Sequence, residues 1–367
     1  MTKIAEVLQA VNNICSEKIQ EKWDNSGLQW GDVNEPCTGA TFSLDVTLEV
    51  IDEAIENGCN LIVAHHPLIF SPLKHISKSG NEVERLAYYC IQKGIAVYAA
   101  HTNWDKVKEG VSWVMANRIG LENTKILCPE SGTLCNVKVL GKSADLQSIR
   151  NAWFDAGLAQ IGEYSNCSFT MEGWGTFCPS EKASPTLGSA NRTHFEREGA
   201  LEICIPKAKA TVAVQIAKEK SSYETLAYSV IPLSNDNDEI GFGCIGELKE
   251  SMGLEDFLTL CKEQYGCKAI RYNPGKEINA IKKVAVCGGS AVDFVGSAIA
   301  QKADAYITAD VKYHQFTMAD KALTLVDVGH YESEIWAMEY LSALISEKFH
   351  NFAVRLTTIN TNSVRHF

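Results

Sequence analysis

Apolar residues in this chain cluster in short continuous runs separated by helical periodicities. Leu61-Ile-Val-Ala64 reads as a strand buried on both faces, the habit of a parallel sheet, and Ile95-Ala-Val-Tyr-Ala-Ala100, Lys283 to Cys287, Ala305-Tyr-Ile-Thr308 and Leu323 to Val328 also read as strands. Ala40 to Leu44 reads the same way. Between them, Lys3 to Glu17 carries Ile4, Val7, Leu8 and Val11 at helical spacing. Thr47 to Glu56, Glu82 to Lys93, Gly110 to Ile119, Leu254 to Tyr265 and Asp293 to Lys302 also read as helices, two of them closed by Gly94 and Gly120. Strand and helix alternate, which predicts an α/β fold with a mostly parallel sheet.

The middle changes rhythm. Leu134 to Leu140 reads as a strand, Leu146 to Ala156 as a helix and Cys167 to Met171 as a strand. An irregular polar stretch to Glu198 follows, then a strand at Leu201 to Ile205, a helix at Ala208 to Lys218 and a strand at Ala227 to Pro232. That βαββαβ order is the ferredoxin-like pattern of an α+β domain. Leu233 to Ile240 reads as a polar, turn-rich linker. The expected organisation is therefore a two-half α/β domain, residues 1–127 and 241–367, around an insertion at 128–240. The two halves could be pseudo-equivalent.

Chemistry sits at the ends of the buried runs. His65 and His66 follow Ala64 directly and precede Pro67, which cannot donate to a sheet. Open α/β sheets place ligands at such strand ends. Neighbouring strand residues point to opposite sides, so two adjacent imidazoles suit one ion each of a pair better than a single ion. Ile95 to Ala100 leads into His101-Thr-Asn-Trp-Asp105, and Ala305 to Thr308 leads into Asp310, with His314 four residues on. Leu323 to Val328 leads into Gly329-His330, followed by Glu332, Glu334 and a helix to about Phe349. Histidine nitrogens and carboxylate oxygens on one rim suit zinc, iron, manganese or nickel better than calcium.

Composition trims the alternatives. A net charge of −11 argues against nucleic-acid binding, whose surfaces are usually basic, but metals can supply positive charge to a small nucleotide. No run of about 18 apolar residues predicts a membrane span, and the N-terminus is amphipathic rather than a signal peptide. Thirteen scattered cysteines without a CxxC suggest a reducing cytoplasm, with Cys59, Cys90, Cys204 and Cys287 as small buried hydrophobes.

Five separated stretches resemble one family: Asp24-Asn-Ser-Gly-Leu-Gln29, Ala64-His-His-Pro-Leu-Ile-Phe70, His101-Thr-Asn-Trp-Asp105, Thr308-Ala-Asp-Val-Lys-Tyr-His314 and Gly329-His-Tyr-Glu-Ser-Glu334. They resemble the NIF-three-like proteins, the GTP cyclohydrolase 1 type 2 homologues, over nearly the whole chain and in the same order. The resemblance implies a di-metal centre held by His65, His66, Asp105, His330 and Glu334 inside a toroidal homohexamer. It assigns the second glutamate of the last motif, Glu334 rather than Glu332. Many relatives have Thr-Gly-Asp where this chain has Thr308-Ala-Asp310, and alanine narrows the turn's backbone options. Gly162 to Phe169, Gly173-Trp-Gly-Thr-Phe177 and Tyr223-Glu224 resemble the PII-like or CutA-like insertion of longer members. Ser221-Ser222 stands where relatives often carry His-Pro, so no ligand role is carried over there.

The favoured reading is a metal-dependent hydrolase. Two divalent ions (zinc, iron or manganese), about 3.5–4 Å apart, would share a hydroxide, with Glu334 or Asp105 bridging. That hydroxide could attack C8 of a guanine ring, an amidine carbon or phosphorus; the resemblance points to ring opening of GTP. Glu334, Asp105 and His101 are the candidate catalytic residues, with His101, Asp310 and His314 as supporting or acid–base groups. Cys287-Gly-Gly-Ser290 is either a phosphate-holding turn or a plain strand-to-helix turn. Trp23, Trp30 and Trp104 could stack a base or serve as core or subunit contacts. Lys74, His75 and Lys78 could meet a phosphate or belong to a solvated loop. The competing readings are a non-catalytic metal-binding or regulatory hexamer and a phosphoester hydrolase.

Overall fold

The apolar runs become two sheets in a computed structural model that describes residues 2–275, 280–350 and 352–367. The chain divides into two compact units, one formed by the residues up to Pro129 with Asp238–Phe367, the other by Glu130–Asn237.

In the first unit, one sheet has the strand order Gly27–Trp30, Ala96–Ala99, Leu61–Ala64, Gly39–Ser43, Ala353–Leu356. All neighbours are parallel except Gly27–Trp30, which runs antiparallel along Ala96–Ala99. Ser43 pairs with Ala64 and Ala64 with Ala99, so three strands end level and their following residues share one rim. The other sheet has the order Arg271–Tyr272, Thr324–Asp327, Ala305–Thr308, Ile281–Val286, Asp236–Met252, Leu121–Ser131. Its three central strands are parallel, and Arg271–Tyr272 runs antiparallel to Thr324–Asp327. The two sheets follow one plan. In each, an edge strand precedes three parallel strands in the chain and pairs antiparallel with the third of them.

Burial explains the strands. Every residue of Leu61–Ala64, Ala96–Ala99 and Ala305–Thr308 is buried, so no polar alternation is needed. The helix His330–Lys348 begins just past the second sheet's Thr324–Asp327. It sends Ala337, Met338, Leu341 and Ile345 into the core of the first sheet, with Phe42, Leu61, Val63 and Tyr98. Burying Met338 or Leu341 is worth about 1.5–3 kcal/mol each. This packing carries the N-terminal turn of the helix, with His330 and Glu334, towards the rim of the first sheet.

The second unit runs strand Leu134–Gly141, helix Ser143–Asp155, strands Phe169–Phe177 and His194–Pro206, helix Ala210–Lys220, strand Ala227–Pro232. The sheet order is Phe169–Phe177, His194–Pro206, Leu134–Gly141, Ala227–Pro232, antiparallel throughout. Val137, Val139, Leu201 and Ile203 face Ile149, Trp153 and Ala213 of the helices. Trp153 is fully buried, and its indole Nε1 donates to Ala213 O at 2.9 Å, joining the two helices. Trp153→Ala is expected to cost about 3–5 kcal/mol. Hydrogen exchange of the full chain checks it: protection of amides in 134–232 should fall by at least about a hundredfold, and unchanged protection would contradict the packing.

Several expectations need correction. Leu233–Ile240 is no free linker, because strand Asp236–Met252 begins inside it; the polar run at the start of the strand carries no apolar period and hid it. Leu121–Ser131, to which no element was assigned from the sequence, is also a strand. The end of the polar stretch, from His194, already belongs to strand His194–Pro206, and the strand expected at Cys167–Met171 runs Phe169–Phe177. Cys204 is only half-buried, whereas Cys59, Cys90 and Cys287 are buried. No helix among the described residues is long and apolar enough to cross a membrane.

Candidate metal centre

The rim of the first sheet and the start of the helix His330–Lys348 bring four imidazoles and two carboxylates together. His65 N donates to Ser43 O at 3.1 Å and His66 N to Leu44 O at 3.0 Å, so the backbone stays extended past the strand and the two side chains diverge. Each ring is then locked through Nδ1 at 2.7 Å: His65 to Ala100 O, His66 to Asp45 Oδ1, His101 to Asp24 Oδ1, and His330 to Asp310 Oδ2. A carbonyl oxygen only accepts, so His65 Nδ1 donates and the lone pair of the neutral ring lies on Nε2. The carboxylate anchors impose the same tautomer on the other three. Metal-ligating histidines are held in this way, with the second nitrogen tied to a carboxylate or carbonyl.

The inward atoms crowd together. Glu334 Oε2 lies 3.1 Å from His66 Nε2 and 3.1 Å from His330 Nε2, and those two nitrogens are 3.2 Å apart. His65 Nε2 lies 3.7 Å from Glu334 Oε1 and 3.7 Å from Asp105 Oδ1. Ligand atoms of His65, His66 and His101 fall within 4.8 Å of one another, as do those of His66, His330 and Glu334. His65 Nε2 and Asp105 Oδ1 are buried with no hydrogen-bond partner, and buried Glu334 Oε2 is faced only by the two imidazole nitrogens. Leaving such a group unpaired costs about 1–3 kcal/mol, more when charged. A cation with nitrogen and oxygen ligands at about 2.0–2.2 Å would satisfy all three, so the residues present fit divalent metal.

Electrostatics agree. Burial disfavours charge on His66, yet Asp45 and Glu334 outweigh it and push its pKa up to about 10. Burial likewise opposes His330, and Asp310 with Glu334 raises it to about 11. Burial works against the Glu334 carboxylate, but His65, His330 and His66 hold it well below the usual range. Asp105 is raised, chiefly by burial, with the Glu334 charge adding to it. Burial of Asp24 is overcome by hydrogen bonds from His101, Thr102 and Ser26, which hold its carboxyl far below the usual range.

The structure thus brings together His65, His66, His101, Asp105, His330 and Glu334. Glu334 faces the imidazoles, whereas Glu332 accepts from Asn362 Nδ2 at 2.9 Å. Asp310 anchors His330 and takes the left-handed φ of +56° itself, so Ala309 imposes no strain there. His314 stays out of the cluster: it is exposed and lies edge-on to Tyr313, 5.1 Å between ring centres. Trp104 is fully buried and cannot stack a ligand, and Trp30 Nε1 donates to Ile95 O at 2.9 Å. Trp23 and Phe70, 59% and 52% exposed, lie 6.0 Å apart and 6.2 and 6.5 Å from the His101 ring. Lys74 and Lys78 are exposed, and His75 meets Glu84 at 3.3 Å.

The glycine pair has another use than holding phosphate. Gly289 N donates to Ser333 Oγ at 2.9 Å, and a Cβ on Gly289 would sit 2.3 Å from Glu334 Oε1 at a φ of +64°. The turn lets the backbone pass under the carboxylate. Gly289→Ala is expected to strain the turn by about 1 kcal/mol or more and push Glu334 off position. Elemental analysis after dialysis should show less than the wild-type metal content; a full complement would contradict this. Sequence reading missed the anchoring roles of Asp24 and Asp45. Asp45 does follow a buried strand directly after Ser43-Leu44, the one signal that could have found it.

Fold and site together define a class: an α/β protein with two like sheets and a histidine–carboxylate cluster able to hold metal at the strand ends. The chain belongs to the Duf34/NIF3 (NGG1p interacting factor 3) family, whose model matches residues 2–364. It is 33% identical over 362 residues to the Bacillus subtilis (strain 168) GTP cyclohydrolase 1 type 2 homolog, covering 97% of this chain and 96% of that one. The protein of the same name from Staphylococcus aureus (strain MRSA252) is 32% identical over 365 residues, 98% of each chain. Among solved structures, a Bacillus cereus protein related to NIF3 superposes with a TM-score of 0.85 at 33% identity, covering 100% of this chain and 99% of that one.

Proposed function

We propose that this chain is a dinuclear metal-dependent hydrolase acting on a nucleotide, with ring opening of GTP as the leading reaction. The observation that carries the reading is the convergence of the buried, partnerless His65 Nε2 and Asp105 Oδ1 with the buried Glu334 carboxylate amid imidazoles already anchored through Nδ1. The name borne by its relatives, GTP cyclohydrolase 1 type 2 homolog, supports the nucleotide. When bound, a pair of zinc, iron or manganese ions would supply Lewis acidity and a water whose pKa is lowered towards neutrality.

His65, Asp105 and Glu334 would hold one ion, and His66, His330 and Glu334 the other. Glu334 suits the shared position because Oε1 is turned to His65 and Oε2 to His66 and His330. His101, its Nδ1 tied to Asp24, keeps Nε2 for taking up or delivering a proton next to the reacting group. Trp23 and Phe70 offer an exposed aromatic wall beside His101 on which a purine can stack. In this reading the chain is a cytoplasmic toroidal homohexamer, and the second unit is a ferredoxin-like insertion of PII type, as its βαββαβ order suggests.

The test is GTP turnover by protein reloaded with zinc, manganese or iron. Metal-dependent product that disappears in Asp105→Ala and Glu334→Ala supports the reading. Tight metal binding without turnover of GTP or of phosphodiesters would leave a non-catalytic metal-binding regulator instead, and turnover of phosphodiesters alone would make it a phosphoester hydrolase.

A further inference from the structure

The last eleven residues cross to the metal centre in a way that its ligand set does not require. Strand Ala353–Leu356 ends in the first sheet, and Thr357 N donates to Phe42 O at 2.9 Å. The chain is then bolted to helix Leu48–Glu56: the hydroxyls of Thr357 and Thr358 donate to Glu53, and Thr358 N donates to Glu53 Oε1 at 2.8 Å. Further on, Asn362 Nδ2 donates to Glu332 Oε1 at 2.9 Å, on the helix that bears His330 and Glu334. Between these fixed points Thr361 Oγ1 donates to Asp45 Oδ2 at 2.7 Å. The other oxygen of Asp45 holds His66 Nδ1 at 2.7 Å. Thr361, Asn362 and Ser363 line a cleft of about 660 Å³ that also contains His66 and His330.

We propose that this C-terminal strap orients His66 through the relay Thr361–Asp45–His66, making Thr361 a positioning residue for one of the two metal positions. The inference rests on the metal-centre reading above. Its logic lies in the contrast between the two adjacent histidines. The His65 imidazole is 1% exposed and anchored to a backbone carbonyl, so packing alone fixes it. The His66 imidazole is 27% exposed and anchored to a side chain that can turn about two torsions. A carboxylate held at one oxygen can rotate and carry the ring with it. Held at both, its plane is set, and His66 Nε2 stays turned towards Glu334 and His330. The strap supplies that second hold from some 300 residues away in the chain.

Thr361→Val removes the hydroxyl while nearly keeping the shape, and Thr361→Ser keeps the hydroxyl. Full-length protein stripped with chelator would be titrated with Zn²⁺ by calorimetry. Thermal unfolding of the metal-free forms monitors the fold, and ¹⁵N histidine spectra follow the proton on His66 Nδ1. In Thr361→Val one of the two binding events should weaken by about tenfold, the scale of losing one charge-assisted hydrogen bond behind a ligand, while the other stays at the wild-type value. Thr361→Ser should restore it, and the His66 Nδ1 proton should exchange faster in the valine variant alone. Wild-type affinity at both positions in Thr361→Val, equal weakening of both, or failure of serine to rescue would each overturn the relay. Wild-type protein that takes up no Zn²⁺ would overturn the metal-centre reading, and the relay with it. If valine lowers the metal-free unfolding temperature, the histidine spectrum decides: an unchanged Nδ1 proton overturns the relay, and a faster-exchanging one supports it.

Discussion

Glu334→Gln is expected to empty the centre of both proposed ions and to destabilise the metal-free protein. The carboxylate is buried and faces three imidazoles, His65 from Oε1 and His66 and His330 from Oε2. Glutamine keeps the volume but presents at most one oxygen and no charge, so one of the two positions always meets an amide N–H₂. Changing a group one step behind a ligand typically costs 10–100-fold in metal affinity; the shared ligand itself should cost more than about 100-fold at both positions. Without metal, the raised His66 and His330 carry protons at pH 7 and rely on Glu334 as counter-ion. Breaking a fully buried pair costs about 3–5 kcal/mol; with the imidazoles 27% and 36% exposed, about 2–3 is the expected loss. Asp105→Asn should behave differently, because Asp105 meets His65 alone among these imidazoles at 3.7 Å: one ion lost, the other retained. Elemental analysis and denaturant unfolding of the two variants read out both effects. Two ions per chain in Glu334→Gln would refute the shared role.

The contrast between Glu334 and Asp45 also shows which parts of this protein the sequence makes legible. Strands such as Leu61–Ala64 and Ala305–Thr308 are buried on both faces, so their apolar runs are unbroken, and residues placed directly after them fall on the rim by necessity. His65, His66, His101 and His330 were readable for that reason. Glu334 came from the family resemblance, and the structure gives the physical reason for it: residues i and i+4 of a helix share a face, and His330 opens the helix. The anchors are different. Asp24 and Asp45 are single polar residues in turns, a composition shared by most turns, and only the three-dimensional fold brings them to His101 and His66. The edge strands Gly27–Trp30 and Arg271–Tyr272 were likewise invisible: a two- or four-residue partner needs no pattern of its own when a buried neighbour supplies the register. At Gly289 the sequence left a phosphate-holding turn and a plain strand-to-helix turn both open, because glycine marks close approach without saying of what; here the close group is the Glu334 carboxylate. The long strand Asp236–Met252 also misled, since its polar, mostly exposed first residues read as a linker while its buried stretch lies further on, at residues 243–246.

Loading the centre should release protons, and the affinity for metal should climb steeply with pH. His66 and His330 titrate near 10 and 11 in the metal-free protein, against about 6.5 when unfolded. Groups raised in this way stabilise the folded form fully below about pH 6.5, and that contribution is lost progressively as pH rises towards 10 and 11. Glu334 has the opposite sign: its depressed pKa stabilises above the unfolded carboxylate value and the contribution is lost as pH falls. The metal-free protein should therefore be most stable in mildly acidic solution and lose unfolding temperature from pH 7 to 10. A cation held by His66 and His330 needs both lone pairs, so each ring must first give up its proton. Between pH 7 and 9 about two protons should leave per ion at that position, and its apparent affinity should rise about a hundredfold per pH unit. Calorimetry of Zn²⁺ binding in buffers of different ionisation enthalpy measures the release directly. Glu334→Gln should lower both imidazole pKa values and flatten the pH dependence of the metal-free unfolding temperature. Zinc uptake by the wild type with no proton release at pH 7.5 would mean that these rings are either neutral beforehand or not ligands, and the two-histidine position would have to be abandoned.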